Sequence, residues 1–284
     1  MLDRVISACC ARDLAVAKLT ASHVIDHITA HRYIFAVPKA DIARFQSAMP
    51  SEFEIVDENE FLGEHTIASI REMLPPQISE RAGWYLQQFV KMGACNEDDR
   101  VTLIWDADTV PLRSLAFGED KACISAYAGK EYHEPYFATL EKLTGLTKKT
   151  EESFIAQCLC VRGAWMASLL NEIEARSDRP WIDAILMSLV GKSAAEFSEY
   201  ETIGNYVRHK FPGQIQFNKR RWSRFGYSLV GSIDNMSPRR VSQLAKAYDF
   251  IAFEEWDQNS KWYKPLKERV RYARHFIHSK LIGT

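Results

Sequence analysis

Glycine-rich phosphate loops are missing from this chain. Neither Gly-x-Gly-x-x-Gly nor a Walker loop occurs in its 284 residues, so any phosphate must be held by something other than a glycine cradle. The six cysteines contain no Cys-x-x-Cys pair, which argues against a zinc site. Cys9, Cys10, Cys158 and Cys160 sit in apolar runs and read as small core residues in a reducing compartment. No apolar run approaches the roughly 18 residues of a membrane span. The opening stretch to Arg12 is interrupted by Asp3 and Arg4 and lacks the cationic start and long apolar core of a signal peptide. Repeats and low-complexity tracts are absent, and the net charge of -1 gives no global pull toward nucleic acid. The expectation is a cytoplasmic chain without a nucleic-acid partner.

What is present is enough for a sizeable core. Hydrophobic residues make up 46% of the chain and aromatics 12%, which excludes general disorder. Val5 to Cys10, Tyr33 to Val37 and Phe53 to Val56 read as strands, and residues 11–28 and 41–48 as the helices between them. That alternation predicts an α/β fold with a mostly parallel sheet. Further strands are expected at 122–127 and 153–161. Helices are expected at 81–93, 165–175 and 181–190, with another running to Gly145.

The stretch that organises the rest is Val101-Thr102-Leu103-Ile104-Trp105-Asp106-Ala107-Asp108-Thr109-Val110-Pro111. Its first half suits a buried strand, and the aspartates fall where that strand would reach the carboxyl edge of a sheet. On an extended backbone, Asp106 and Asp108 point to the same side and repel unless a proton or cation lies between them. A divalent metal holding a phosphate fits. So does a phosphatase of the haloacid-dehalogenase type, whose Asp-x-Asp supplies nucleophile and general acid. That class usually opens its fold with this strand, whereas about a hundred residues precede it here. It also needs a later acidic pair, for which Glu254-Glu255 is a poor substitute.

Other residues stand out by pattern. Trp84, Gln88 and Lys91 share one helix face by their i, i+4, i+7 spacing. Gln157 lies inside an otherwise apolar predicted strand and needs a polar partner. Ser198 followed three residues later by Glu201 reads as a capping box, and Glu199 then points elsewhere on the helix. A basic cluster spans Arg208 to Arg224. A basic amphipathic segment from Lys261 to Thr284 would suit an anionic membrane surface or a solvated helix face.

Three stretches, Arg81-Ala82-Gly83-Trp84-Tyr85-Leu86-Gln87-Gln88-Phe89-Val90-Lys91-Met92, Trp105-Asp106-Ala107-Asp108-Thr109-Val110-Pro111-Leu112 and Phe197-Ser198-Glu199-Tyr200-Glu201-Thr202-Ile203-Gly204-Asn205-Tyr206, occur in this order. Together they resemble the ordered motifs of DUF6492, a bacterial group of GT-A-type glycosyltransferases. The resemblance implies a GT-A-like (Rossmann-like) mixed, mostly parallel sheet flanked by helices, with a helical and basic C-terminal part. It implies one domain over 1–284, with a nucleotide-sugar and metal half (1–130) and an acceptor half (131–284). Asp106 and Asp108 would bind Mn²⁺ or Mg²⁺ and the donor diphosphate. Arg81, Trp84, Gln88, Lys91 and Gln157 would line the donor pocket, and Glu199 or Glu201 would face the acceptor as general base. His209, His275 and His278 are candidates for a further metal ligand. The acceptor would be a saccharide or a lipid-linked one, reached peripherally on the inner face of a membrane, in surface polysaccharide or lipopolysaccharide synthesis. A non-catalytic nucleotide-sugar-binding protein is the alternative.

Overall fold

The computed structural model describes residues 1–97, 100–118, 121–218 and 220–258. The chain opens with β1 (Leu2–Ala8), α1 (Leu14–His27), β2 (Ala30–Val37), α2 (Ile42–Ala48) and β3 (Phe53–Asp57). Next come α3 (Ile67–Met73), α4 (Ala82–Ala94), β4 (Val101–Trp105), β5 (Thr109–Pro111) and β6 (Ile124–Tyr127). The middle holds α5 (Glu134–Thr144), β7 (Cys158–Arg162), α6 (Gly163–Ser177), α7 (Trp181–Ser188) and α8 (Glu199–Lys210). The remainder is β8 (Ile215–Asn218), β9 (Trp222–Ser223), α9 (Gly226–Val230), α10 (Pro238–Ala245), β10 (Phe250–Ala252) and α11 (Glu255–Gln258).

The main sheet has the order β3-β2-β1-β4-β7. Its first four strands are parallel and β7 is antiparallel to β4. The fold is therefore mixed α/β with a mostly parallel central sheet. The chain walks outward from β1 to β3 and then returns to the other side of β1 as β4. This reversal opens a crevice at the carboxyl ends of β1 and β4, where open α/β sheets take their ligands. Val5, Ile6, Leu103 and Ile104 have no exposure, as expected for strands covered on both faces. One core cluster runs from Leu2 to Phe250.

Several local expectations are corrected. The first strand starts at Leu2, because its two charged residues have partners. Asp3 Oδ2 accepts from the Val101 amide at 2.7 Å. Arg4 donates to Thr102 Oγ1 at 2.9 Å, to Glu97 Oε1 at 2.6 Å and to the Ala94 carbonyl at the end of α4. Pro111 would be expected to forbid regular structure after the aspartates, but it closes β5, an edge strand that among the described strands pairs with β10 alone, in a small sheet of order β5-β10-β9, and an edge tolerates the missing N–H. The strand at 124–127 pairs with β8 outside the main sheet. The strand expected at 153–161 is shortened to Cys158–Arg162.

The basic cluster from Arg208 to Arg224 is dispersed by pairing. Lys210 meets Glu172 at 2.7 Å, Arg208 donates to the Ile215 carbonyl, and Arg224 pairs with Glu131 and Glu254. Among the described residues no helix is long and apolar enough to cross a membrane. Lys219, His275, His278 and the basic segment Lys261 to Thr284 lie outside the described residues.

The helix expected to end at or near Gly93 ends one residue beyond it, at Ala94. A Cβ at Gly93 would lie 2.1 Å from the Phe61 carbonyl oxygen. The glycine thus lets α4 pack against the backbone that follows β3, which sets the position of Lys91 two residues earlier. Alanine is the better helix former by about 1 kcal/mol, so a helix-end role would make Gly93→Ala stabilising or neutral. The close approach instead predicts a loss of about 1–3 kcal/mol, measurable as a lower midpoint in denaturant unfolding.

Candidate active site

The two aspartates do not lie on extended backbone. Asp106 and Asp108 flank a turn closed by the Thr109 amide donating to the Asp106 carbonyl at 3.0 Å. The pairing of β4 with β7 carries over into the Asp106 amide, which donates to the Gln157 carbonyl at 2.9 Å. The Phe253 amide, just after β10, donates to the Asp108 carbonyl at 2.8 Å. Before the turn, Trp105 is fully buried and its indole donates to the Thr109 carbonyl at 2.6 Å. Ser7 Oγ of β1 donates to the Trp105 carbonyl at 2.7 Å. Three segments distant in sequence therefore fix the turn at the carboxyl end of β4.

Lys91 joins this turn to two helices. Its ammonium donates to Asp106 Oδ1 at 2.5 Å and to Glu199 Oε1 at 2.9 Å. Burial alone would lower the lysine's pKa, but Asp106 and Glu199 together outweigh it and hold the value above the ordinary one. Tyr200 Oη donates to the same Asp106 oxygen at 2.7 Å. Gln88, one turn earlier on α4, accepts from the Glu199 amide at 3.0 Å, satisfying one of the orphan donors at the start of α8. The Gln88 and Lys91 face of α4 is thus turned toward the N-terminus of α8. Trp84 sits at the upper end of that face, under the Arg81 guanidinium at 4.4 Å and edge-on to Tyr85.

The two glutamates separate as their spacing required. Glu199 faces Lys91 and Asp106. Glu201 turns away, and its carboxylate accepts from Asn205 Nδ2 at 3.0 Å. Burial raises the Glu201 pKa. Ser198 caps α8 by accepting from the Glu201 amide at 3.3 Å. The cap therefore uses the backbone of Glu201, while the side chain bonds Asn205 within the helix.

Gln157 is buried, but it precedes β7 instead of lying within a strand. Its φ of 62° is left-handed, so its side chain leaves the strand's alternation. The amide Nε2 donates to Glu254 Oε1 at 2.8 Å, which supplies the polar partner its burial demanded. Glu254 also accepts from Arg224 Nε at 3.0 Å and from Trp256 Nε1 at 3.0 Å. Arg224 continues to Glu131 Oε2 at 2.5 Å. Sequence reasoning missed Tyr200, Glu131 and Arg224 as site residues. Tyr200 lay in view between the two glutamates, and Glu254 was noted only as half of an acidic pair. Nothing local marked Glu131. His209 is placed elsewhere, with Nε2 against the Thr147 carbonyl at 2.9 Å. Among the described residues no three His, Cys, Asp or Glu side chains converge as a metal-binding group.

Asp108 is strongly perturbed. Burial, then Glu254, then Asp106 push its pKa up to about 8 from an ordinary 3.8. Its described hydrogen bond is from Thr109 Oγ1 at 3.2 Å. A folded-state value above the unfolded one means that the native protein keeps a proton the unfolded chain releases. That stabilisation is complete below about pH 3.8 and is lost as pH rises to about 8. Glu58, buried beside Asp57 and Asp41 and raised to about 7, adds a slope of the same sign. Asp108→Asn should flatten the decline between pH 4 and 8 in unfolding free energy (measured without divalent cation), leaving the part carried by the other raised carboxyls, Glu58 and Glu201.

The family described as of unknown function, DUF6492, matches residues 13–211. No curated protein matches the sequence. Among solved structures, the galactosyltransferase LgtC in complex with donor and acceptor sugar analogs is 11% identical, with a TM-score of 0.47 over 96% of this chain and 95% of that one. Mouse xyloside xylosyltransferase 1 in its apo form is 10% identical, with a TM-score of 0.46 over 90% and 99%. The PaToxG glycosyltransferase is 9% identical, with a TM-score of 0.41 over 75% and 71%. The family match takes in α4, the Asp106 turn and the whole of α8, and the chain belongs to the DUF6492 family.

Proposed function

We propose that this chain is one glycosyltransferase domain over 1–284 that moves a sugar from a nucleotide-diphosphate donor to a saccharide or lipid-linked acceptor, with Mn²⁺ or Mg²⁺. The observation that carries the reading is the Asp106–Asp108 turn at the β1/β4 crevice, facing Lys91 and Glu199. This is where an α/β sheet binds nucleotides, and no glycine loop is present to hold the phosphates. The bacterial surface-polysaccharide setting rests on the family resemblance, and the cytoplasmic location is carried over from the reading of the sequence.

The donor set suits a hard cation. Asp106 and Asp108 offer carboxylate oxygens, the ligands such ions prefer. Asp108 is half-buried, and the negative charges of Glu254 and Asp106 act on it, which a cation relieves. When bound, the metal neutralises charge on the departing diphosphate. Residues 1–130 then form the donor half and 131–284 the acceptor half. Lys91 orders Asp106 and Glu199 relative to each other, and Arg81 and Trp84 border the same helix face. Gln157 acts through Glu254 and Arg224. Glu199 would take a proton from an acceptor hydroxyl in an inverting reaction, because the Glu201 carboxylate is taken up by Asn205 and the Ser153–Phe154 segment. The phosphatase alternative loses ground: the aspartate strand is the fourth of the sheet, and Glu254 follows β10, outside that sheet.

Asp106→Asn with Asp108→Asn is expected to abolish Mn²⁺-dependent binding and slow hydrolysis of nucleotide-diphosphate sugars. Retained metal-dependent affinity would sink the metal assignment. Glu199→Gln should lower turnover of the folded protein roughly 100-fold or more while also lowering its thermal stability, because it breaks the buried ion pair with Lys91, whereas Glu201→Gln should leave turnover intact. Equal losses in the two variants would remove Glu199 from the chemistry. Ser198→Ala should cost about 1 kcal/mol of stability by removing the α8 cap. Donor binding with no turnover across a broad acceptor panel would favour the non-catalytic binding protein.

A further inference from the structure

The described hydrogen bonds to the Asp106 carboxylate both fall on Oδ1, from Lys91 Nζ at 2.5 Å and Tyr200 Oη at 2.7 Å. The same ammonium is bonded to Glu199 at 2.9 Å, and the lysine side chain is only 9% exposed. A buried ammonium in this position already does part of a metal's work, because it cancels the aspartate's charge where screening by water is weak. A divalent cation on Asp106 and Asp108 must share one carboxylate with this fixed positive charge, and the two cations repel. The protein offers that cation little in return. Among the described residues no third ligand converges, and Glu254 is engaged by Gln157, Arg224 and Trp256. Ions of the Mg²⁺ type complete such sparse sites with water and substrate phosphates, and a diphosphate also brings negative charge to offset Lys91.

We propose that Lys91 makes divalent-cation binding conditional on the diphosphate. The ammonium keeps the cation weakly bound on the aspartate pair until a diphosphate balances the charge, so that metal and diphosphate load as one unit. The proposal rests on the metal-dependent reading above and assigns Lys91 as the positioning residue that couples the two ligands. Coupling of this kind is reciprocal: each ligand tightens the other by the same factor.

The test is Mn²⁺ binding to the full chain, with and without inorganic pyrophosphate. Water-proton relaxation enhancement separates protein-bound ion from free ion and from the small Mn²⁺–pyrophosphate complex. The wild-type chain should bind Mn²⁺ weakly alone and about fivefold or more tightly with pyrophosphate. Lys91→Met should bind Mn²⁺ alone about fivefold or more tightly than wild type, and pyrophosphate should then add little. Because Lys91→Met leaves Glu199 buried without its partner, Lys91→Met with Glu199→Gln serves as the second variant. It removes one charge of each sign, its folding is checked by thermal unfolding, and it should show the same gain. Mn²⁺ affinity unchanged or weaker in the folded variants, no enhancement in wild type, or no Mn²⁺ binding at all would overturn the proposal. The expected Mn²⁺ pattern without hydrolysis of any nucleotide sugar would uphold it and defeat the transferase reading. Hydrolysis with unchanged Mn²⁺ affinity in the variants would do the reverse.

Discussion

Everything at this site depends on one ammonium group between two carboxylates. Lys91 ties α4 to the end of β4 through Asp106 and to the start of α8 through Glu199. Without a charge of opposite sign, the buried Glu199 and the half-buried Asp106 would force either protonation or separation of the elements that carry them. The approach of α4 that makes this contact relies on Gly93 packing against the Phe61 backbone. Gln88 adds a neutral link by accepting the Glu199 amide. The helix face thus combines one charged and one uncharged tie to the same turn of α8.

A second network lies across the aspartate turn and has a different character. Gln157, Glu254, Arg224, Glu131 and Trp256 form a chain of polar contacts from the start of β7 to α11. It places a guanidinium between two carboxylates near Asp108, whereas the first network places an ammonium on Asp106. The two aspartates therefore sit in unlike surroundings. Asp106 has a cation in direct contact, whereas Asp108 feels the negative charge of Glu254 most strongly after burial.

Much of this was legible wherever information was local. The β-α-β-α-β lead-in follows from apolar runs alternating with helical periodicity, and all three of its strands pair in parallel. The spacing of Gln88 and Lys91 showed that they share a face, and the spacing of Glu199 and Glu201 showed that they do not. Illegible features were those decided by distant partners. The aspartates read as extended until the Gln157 carbonyl, the Phe253 amide and Thr109 are seen to fold them into a turn. Gln157 read as a strand residue because nothing in its neighbours announces a left-handed backbone. Arg4 read as an interruption because its acceptors lie at Ala94, Glu97 and Thr102. Glu131 and Arg224 carry no local signature, since each becomes a site residue only through the other and through Glu254.

The pinning of the aspartate turn also bears on how the chain acquires its site. Its backbone is held by β1 from the first residues, by the segment entering β7 from the middle, and by the residue after β10 near the end of the described chain. Contacts this far apart in sequence close late, because the entropy of each long loop must be overcome before the contact can contribute. The parallel strands β1 to β4 can pair before β10 arrives, so the sheet does not need the finished turn. Of the three long-range contacts, the one from the Phe253 amide to the Asp108 carbonyl closes the longest loop, so loop-closure entropy weighs most heavily on it.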